Sequence, residues 1–282
     1  GTSNRTSLWE PGMAAQALGT QAGYGNDINN AGQVFGSYYG TAGAIPFVWE
    51  NSIATSLPLV PGFTYADNWQ LNDSGVGTGT AYNAGTVRGL GAACSWTKSG
   101  GQWVLSVLPA LSSPSSGGGA FGINEAGIIV GTSLDPGGTF RACKWEGGGI
   151  SPLAAPMPNS FSVAMSINSA GHYVGFHDHG SPVTSSAFLF DGVSVRDLGG
   201  LPGYSHSIAY KVSDSGTIIG WSYNGNPELY FLSALDCSAT VWRGGNAIDV
   251  NTLIHSAPAA GYHIRQLWDI NNHGQIAAYA CL

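Results

Sequence analysis

The stretch "DINNAGQVFG" (27–36) decides the fold, because its plan recurs along the chain. "QLNDSGVGTG" (70–79), "GINEAGIIVG" (122–131), "SINSAGHYVG" (166–175), "VSDSGTIIG" (212–220) and "DINNHGQIAA" (269–278) share it. The turn glycines Gly32, Gly75, Gly127, Gly171, Gly216 and Gly274 follow one another at spacings of 43, 52, 44, 45 and 58 residues. An Asn/Asp-x-x-Gly turn joins two β-rich runs, with glycine supplying the positive φ of a tight hairpin. The run after the turn, such as Ile128-Ile129-Val130-Gly131, reads as a buried strand.

A second element alternates with the first. It is a short run ending in an aromatic, at Trp9, Trp49, Trp96, Trp145, Phe190 and Trp242. A leucine-bearing run follows each, at Leu18, Leu57, Leu108, Leu153, Leu198 and Leu253. Four strands in about 45 residues, repeated six times, match the blades of a β-propeller. The chain starts on a third strand (Thr6 to Trp9) and ends on a second (Gln275 to Ala280). Pairing of the N- and C-terminal strands in one shared blade would close the ring and remove sheet edges. The expected fold is therefore all-β, a six-bladed β-propeller of four-stranded blades, as a single domain over 1–282. A β-sandwich or a solenoid is the alternative, and neither accounts for the complementary ends.

Composition fits this reading. Of 282 residues 43% are hydrophobic and only 9% charged, against about 25% charged in an average chain. Glycine, at 43 residues, is about twice its usual share. The formal net charge is −7, and the nine Lys and Arg are scattered. No basic stripe exists to follow a phosphate backbone, which argues against nucleic acid and anionic membrane surfaces. No run approaches 18 apolar residues, so no membrane span is expected. Few charges with many Gly, Ser, Thr, Asn and Tyr suit an extracellular, secreted protein, and a mature chain would have lost any signal peptide.

The I-N-x-x-G-x-h-h-G pattern (h apolar), the aromatic third-strand runs and "DLGGLPGYSHSIA" (197–209) together resemble the HAF-type extracellular repeat family. The resemblance covers nearly the whole chain. It departs where Phe190 stands for Trp, Val212-Ser213 for Ile-Asn, and Ala277-Ala278 for the closing glycine. The resemblance implies bacterial-type secretion and a propeller-like shape, with no agreed activity.

Strand alternation places the Asn-x-x-Gly turns on one face, the bottom. The connections between strands two and three, and between units, then lie on top. Several top connections are long, at 80–92, 109–119, 132–140, 176–186 and 221–238. Binding residues favour such loops on a rigid scaffold. Top-face candidates for ligand contact are Tyr39, Tyr65, Tyr82, Arg88, Arg141, His177, His179, Tyr204, His206, Trp221, Tyr223, Tyr262 and His263. Tyr24, Tyr38, Phe63, Phe161 and His255 map to the same face, as do Asp135, Asp178, Glu228 and Asp236. Tyrosine and tryptophan faces stack on sugar rings, and hydroxyls and amides suit neutral or weakly anionic saccharides. Polysaccharide or glycan is therefore the expected partner. Strand-end aromatics can equally serve as packing between blades.

The possible chemistries separate by pattern. In His177-Asp178-His179 the two imidazoles share a strand face. Two histidines and a carboxylate suit zinc, but no third protein ligand follows from the spacing. No metal or other cofactor is assigned. His206 and His263 closely follow Tyr204 and Tyr262 at the start of a first strand. If the chain is an enzyme, a polysaccharide lyase with Tyr204, His206 and His177 in acid–base roles, and Arg88 or Arg141 on the uronate, is the expected type. The Asn/Asp-rich turns are too short for calcium loops. No G-x-S-x-G nucleophile elbow and no phosphate-binding loop is present. A structural or surface-assembly module is the third reading.

Four cysteines allow three full pairings. Cys94 and Cys143 sit at equivalent points of adjacent units, about 10 Å apart on stacked sheets and too far to bond. They are expected free. Cys237 and Cys281 both fall at the top of adjacent units and form the expected disulfide.

Overall fold

The structure is a computed structural model that describes residues 6–8, 16–18, 21–41, 43–85, 91–112, 117–180, 184–225, 236–254 and 261–281. Among these, 24 strands are joined by turns, and helix is confined to one 3-10 turn at Val250–Thr252. The chain divides into two compact units, residues 1–138 with 144–151 and residues 139–143 with 152–282.

The first unit opens with β1 (Ser7–Leu8) paired to β2 (Gln16–Ala17). Two antiparallel four-stranded meanders follow. One is β3 (Gly23–Ile28), β4 (Val34–Tyr39), β5 (Ala44–Glu50) and β6 (Ile53–Ser56). The other is β7 (Tyr65–Leu71), β8 (Val76–Tyr82), β9 (Ala92–Ser99) and β10 (Gln102–Val107). β11 (Gly118–Ile123), β12 (Ile129–Leu134), β13 (Phe140–Glu146) and β14 (Gly149–Pro152) form a third sheet of the same order, and the unit boundary falls within its last two strands.

The second unit repeats the plan twice. β15 (Ser162–Ile167), β16 (Tyr173–Asp178), β17 (Ser185–Phe190) and β18 (Val195–Gly199) make one meander. β19 (His206–Val212), β20 (Ile218–Tyr223), β21 (Cys237–Arg243) and β22 (Asn246–Asp249) make the next, and a single parallel bridge, Ser185 to His206, joins the two. β23 (His263–Ile270) pairs β24 (Ile276–Cys281). Five repeats thus show the expected four strands; among the described residues β1 pairs only β2 and β23 only β24, so the expected pairing of the terminal strands in one shared blade is not seen.

The turn asparagines Asn29, Asn72 and Asn168 work twice, and Asn124 caps its own turn in the same way. The Oδ1 accepts the backbone N–H four residues on: Gln33 to Asn29 at 2.9 Å, Val76 to Asn72 at 2.8 Å, Ile128 to Asn124 at 3.0 Å, His172 to Asn168 at 2.9 Å. The Nδ2 donates to the backbone carbonyl of the same turn position one repeat further: Asn29 to Asn72, Asn72 to Asn124 and Asn168 to Ser213, each at 3.1 Å. The turn motif is therefore both a hairpin cap and an inter-repeat tether. The next residue adds an outer row, with Asn30 N–H on Asp73 at 2.8 Å and Ser169 N–H on Asp214 at 2.9 Å.

The closing glycine of the motif has a different cause. The first strand of each hairpin carries a bulge, and the glycine lies where the bulge begins: Gly25 opposite Gly36, Ala120 opposite Gly131, Ala164 opposite Gly175, Ala209 opposite Gly220. A Cβ on Gly175 would meet the Val163 carbonyl oxygen at 1.9 Å, and one on Gly220 the Ile208 oxygen at 1.9 Å. The extra residue of the bulge turns toward the next repeat. Asn26 Nδ2 donates to Asn68 Oδ1 at 3.0 Å, Trp69 packs on Phe121 at 5.4 Å, and Tyr210 packs on Trp268 at 5.3 Å.

The third-strand tryptophan supplies one more tether. Its indole N–H donates to the carbonyl just past the preceding repeat's leucine: Trp96 to Pro58 at 2.8 Å, Trp145 to Pro109 at 2.7 Å, Trp242 to Gly199 at 3.2 Å. Phe190 has no such donor. Tyr173, stacked on Phe190 at 4.7 Å, sends its hydroxyl to the equivalent carbonyl of Ala154 at 3.2 Å. Apolar cores lie between successive sheets, one of them around Phe35, Val48, Leu57, Ala66 and Trp96.

Three substitutions check this account by urea unfolding. Asn72→Ala strips a buried turn of an acceptor and a carbonyl of its donor, and should cost about 2–4 kcal/mol. A loss as small as that of an exposed turn residue would deny the ladder its role. Gly175→Ala should cost more than Gly171→Ala. The first drives a Cβ into backbone, whereas the second meets only a positive φ of 81° in open space, worth about 1 kcal/mol. The reverse order would contradict the bulge explanation.

Candidate functional site

In the second unit, alternation along paired strands builds a polar row. His177 on β16 lies opposite Ser186 on β17, and Phe188, two residues on, lies opposite Asp197 on β18. Directly opposed residues and their i+2 neighbours share a sheet face. His177, Ser186 and Asp197 therefore project from one side. His179, two residues past His177, turns to the same side, its backbone N–H fixed on Thr184 O at 2.9 Å.

His177 is fully buried and its Nε2 lies 3.3 Å from Asp197 Oδ2. His179 is half-buried, with Nε2 3.5 Å from the same oxygen and 2.7 Å from Ser186 Oγ. The two imidazole centroids are 4.7 Å apart. Burial alone would raise the Asp197 carboxyl, but His177 and the Gly199 N–H outweigh it and hold the group below its usual range. Asp178, the middle residue of the motif, is pushed up by burial. His177, His179 and Asp197 form the group of three metal-competent side chains found among the described residues.

The other candidates divide by burial. Tyr65, Tyr82, Trp221 and Tyr223 are buried, so they are packing residues and not a ligand face. Tyr65 and Tyr82 pack together at 5.8 Å, and the Tyr82 hydroxyl accepts Ala44 N–H at 2.9 Å. Trp221 lies against Tyr210 and Trp268, and burial pushes the Tyr223 hydroxyl up to about 12. His206 is also buried, stacked on Tyr223 at 4.9 Å, with Nδ1 accepting Ser185 N–H at 3.1 Å. That bond fixes His206 as a neutral acceptor toward β17, away from the acid–base role expected beside Tyr204. Arg141 donates to Asn159 Oδ1 at 3.1 Å. Arg88, Glu228 and His255 lie outside the described residues.

Exposed aromatics remain at the strand ends away from the Asn-x-x-Gly turns. In the first unit Tyr39 is 57% exposed and lies 5.6 Å from Tyr24, whose hydroxyl donates to Asp67 at 3.1 Å. In the second, Tyr262 is 48% exposed and Tyr204 is half-buried. Burial raises the Tyr204 hydroxyl, and the carboxylates of Asp236 and Asp249 add to it. Asn224 donates to Asp236 at 2.8 Å and accepts Ser205 N–H at 2.9 Å.

The expected Cys237–Cys281 disulfide is not formed; all four cysteines are free thiols. Arg265 takes up the position, with Nε on Cys281 Sγ at 3.0 Å and Nη1 on the Cys237 carbonyl at 3.5 Å. Burial raises the Cys237 thiol. Cys94 and Cys143 are buried thiols raised well above the usual range by the same cause.

Asp197 and Ser186 were not among the sequence candidates, yet a signal existed. Ser186 and Asp197 are 11 residues apart at third- and fourth-strand positions, and Ser238 and Asp249 repeat that pair in the next unit of the pattern. There Asp249 Oδ1 accepts Ser238 Oγ at 3.0 Å and Asn251 N–H at 2.9 Å. Asn251 also bridges to Ile264, and His263 Nε2 lies 3.3 Å from Ser238 Oγ.

No family model matches the chain, and no curated protein matches it in sequence. Among solved structures it is similar to a mutant of the Aleuria aurantia lectin in complex with Fucalpha1-6GlcNAc, at 12% identity over 91% of this chain and 90% of that one, with a TM-score of 0.48. A second structure of that lectin, described as a six-bladed β-propeller with a novel fucose recognition mode, aligns at 12% identity over 87% and 84%, TM-score 0.46. A gluconolactonase of Xanthomonas campestris aligns at 13% identity over 77% and 75%, TM-score 0.43. No helix among the described residues is long and apolar enough to cross a membrane.

The buried, neutral His206 gives a pH prediction. Burial lowers its folded pKa below the unfolded value of about 6.5. Its contribution is fully present above that value and is lost as pH falls toward the lowered one. Urea unfolding should therefore show a larger stability loss from pH 7.5 to 5 in the wild type than in His206→Asn, whose amide oxygen can accept the Ser185 N–H. Equal losses would refute the assignment.

Proposed function

We propose that this chain is a non-catalytic carbohydrate-binding protein that acts outside the cell, its six repeats forming one six-bladed propeller domain of the HAF-like kind. The carrying observation is the exposed tyrosine at strand ends remote from the turns. In the second unit half-buried Tyr204 lies near Asp236 and Arg265, with Asn224 bonded to Asp236, and exposed Tyr262 directly precedes β23; in the first, Tyr39 lies beside Tyr24, whose hydroxyl donates to Asp67. An exposed aromatic face offers apolar contact to a sugar ring, while fixed amides and carboxylates offer directional partners to its hydroxyls. The small number of charged residues favours neutral or weakly anionic polymers. The repeat pattern and 24 strands support the propeller, and composition supports secretion.

A panel of polysaccharides and glycans in affinity electrophoresis tests the reading, with ultraviolet absorbance followed in parallel. At least one member should retard the wild type without product formation. Tyr204→Ala and Tyr262→Ala should weaken that retention about tenfold or more, with unfolding midpoints near wild type. No retention by any member would overturn binding. Unsaturated product would replace it with lyase chemistry.

A further inference from the structure

We propose that His177, His179 and Asp197 form a binding site for a divalent transition-metal ion, Zn²⁺ being the natural probe, with one coordination position left to solvent. Two imidazoles and a carboxylate suit zinc, copper or nickel better than magnesium or calcium. Their candidate ligand atoms all lie within 4.8 Å of one another.

The two Asp197 contacts suit a shared metal ion better than a simple ion pair, with the imidazoles closing the remaining gap on binding. Asp197 Oδ2 stands 3.3 Å from His177 Nε2 and 3.5 Å from His179 Nε2. Charge-assisted N–H···O bonds close to about 2.7–2.9 Å. A tetrahedral ion with bonds of about 2.0–2.1 Å sets its ligand atoms roughly 3.3–3.5 Å apart. Both contacts are too long for good hydrogen bonds, and both fit edges of such a tetrahedron.

The neighbouring repeat provides an internal comparison. Asp249, at the position equivalent to Asp197, is satisfied by short bonds from Ser238 and Asn251 at 2.9–3.0 Å. Ser222 stands there where His177 stands here. The repeat scaffold therefore does not require a histidine at this buried place. His177 has no exposed surface, its Nδ1 has no hydrogen-bond partner, and its one polar contact is the long one through Nε2. A metal bond at Nε2 would give this costly burial a strong partner. Ser186 Oγ, 2.7 Å from His179 Nε2, holds that nitrogen and would yield it to the ion, whereas Asp197 Oδ1 is already held by Gly199 N–H at 2.8 Å. Such an outer contact on the carboxylate is what fixes a ligand in a metal site.

The test uses the full chain without a polyhistidine tag, titrated with zinc chloride by calorimetry and by thermal unfolding. One ion per chain should bind and raise Tm. Because His177 is buried and its replacement could unfold the chain, the informative variants are His179→Gln and Asp197→Asn. Each should keep the zinc-free Tm near wild type, weaken zinc at least about tenfold and abolish the zinc-dependent rise. His273→Gln, at an exposed turn, should change nothing. Co²⁺ should give visible absorption of tetrahedral intensity in the wild type that both variants lose. No binding at millimolar zinc, or wild-type affinity in both variants, would overturn the proposal. Neither result bears on glycan retention, which is measured separately.

Discussion

The buried turn asparagine is the interaction on which the rest of this structure depends. A β-hairpin turn leaves backbone groups that must find partners. Here one side chain satisfies its own turn through Oδ1 and the next repeat's turn through Nδ2. Local hairpin formation and repeat-to-repeat registration therefore become one requirement. A repeat that formed its turn differently would strand a carbonyl in its neighbour. This coupling explains why the spacing between tethered repeats can vary from 43 to 52 residues while the turn keeps its geometry. Length variation is absorbed in loops, where closure entropy rises only slowly with length.

The bulge is the second constraint, and it follows from the first. Holding successive hairpins side by side requires a residue that points toward the neighbour and not into its own sheet pairing. An extra residue in the first strand supplies one. The cost is a carbonyl folded into the space a Cβ would fill on the second strand. That is the position of Gly36, Gly131, Gly175 and Gly220. The last hairpin departs here: Ala278 lies opposite Leu267, and β23 carries two register shifts in place of one.

Much of this was legible in sequence because it repeats. The hairpins, the four-strand count and the placement of Trp96, Trp145 and Trp242 all follow from a regular pattern. Compensation was not legible. Tyr173 takes over the tether that Phe190 cannot make, from a different strand, and no periodicity reveals it. Exposure was not legible either. Tyr39 and Tyr82 both end second strands, yet Tyr39 is exposed while Tyr82 is buried with its hydroxyl engaged. Strand position fixes where a side chain begins; the neighbouring sheet decides whether it reaches water. The Cys237–Cys281 expectation failed for a similar reason, since Arg265 came from the very bulge whose extra residue sequence spacing does not mark.

The fourth and fifth repeats show how one scaffold carries two kinds of polar row. Both place serine on the third strand and aspartate on the fourth, on the same face. In the fifth, Asn251 closes the row, and every short contact is used to tie β22 to β23. In the fourth, two imidazoles occupy the corresponding space, and the carboxylate is shared between them at distances that no strong hydrogen bond needs. The backbone is indifferent to this choice, because turn, bulge and the aromatic tethers, Tyr173 in the fourth repeat and Trp242 in the fifth, already fix it. Side chains on that face are thus released from structural duty in one repeat and committed to it in the next. A repeat architecture held by its turns can therefore host a chemically distinct site in a single repeat while its neighbours remain purely structural.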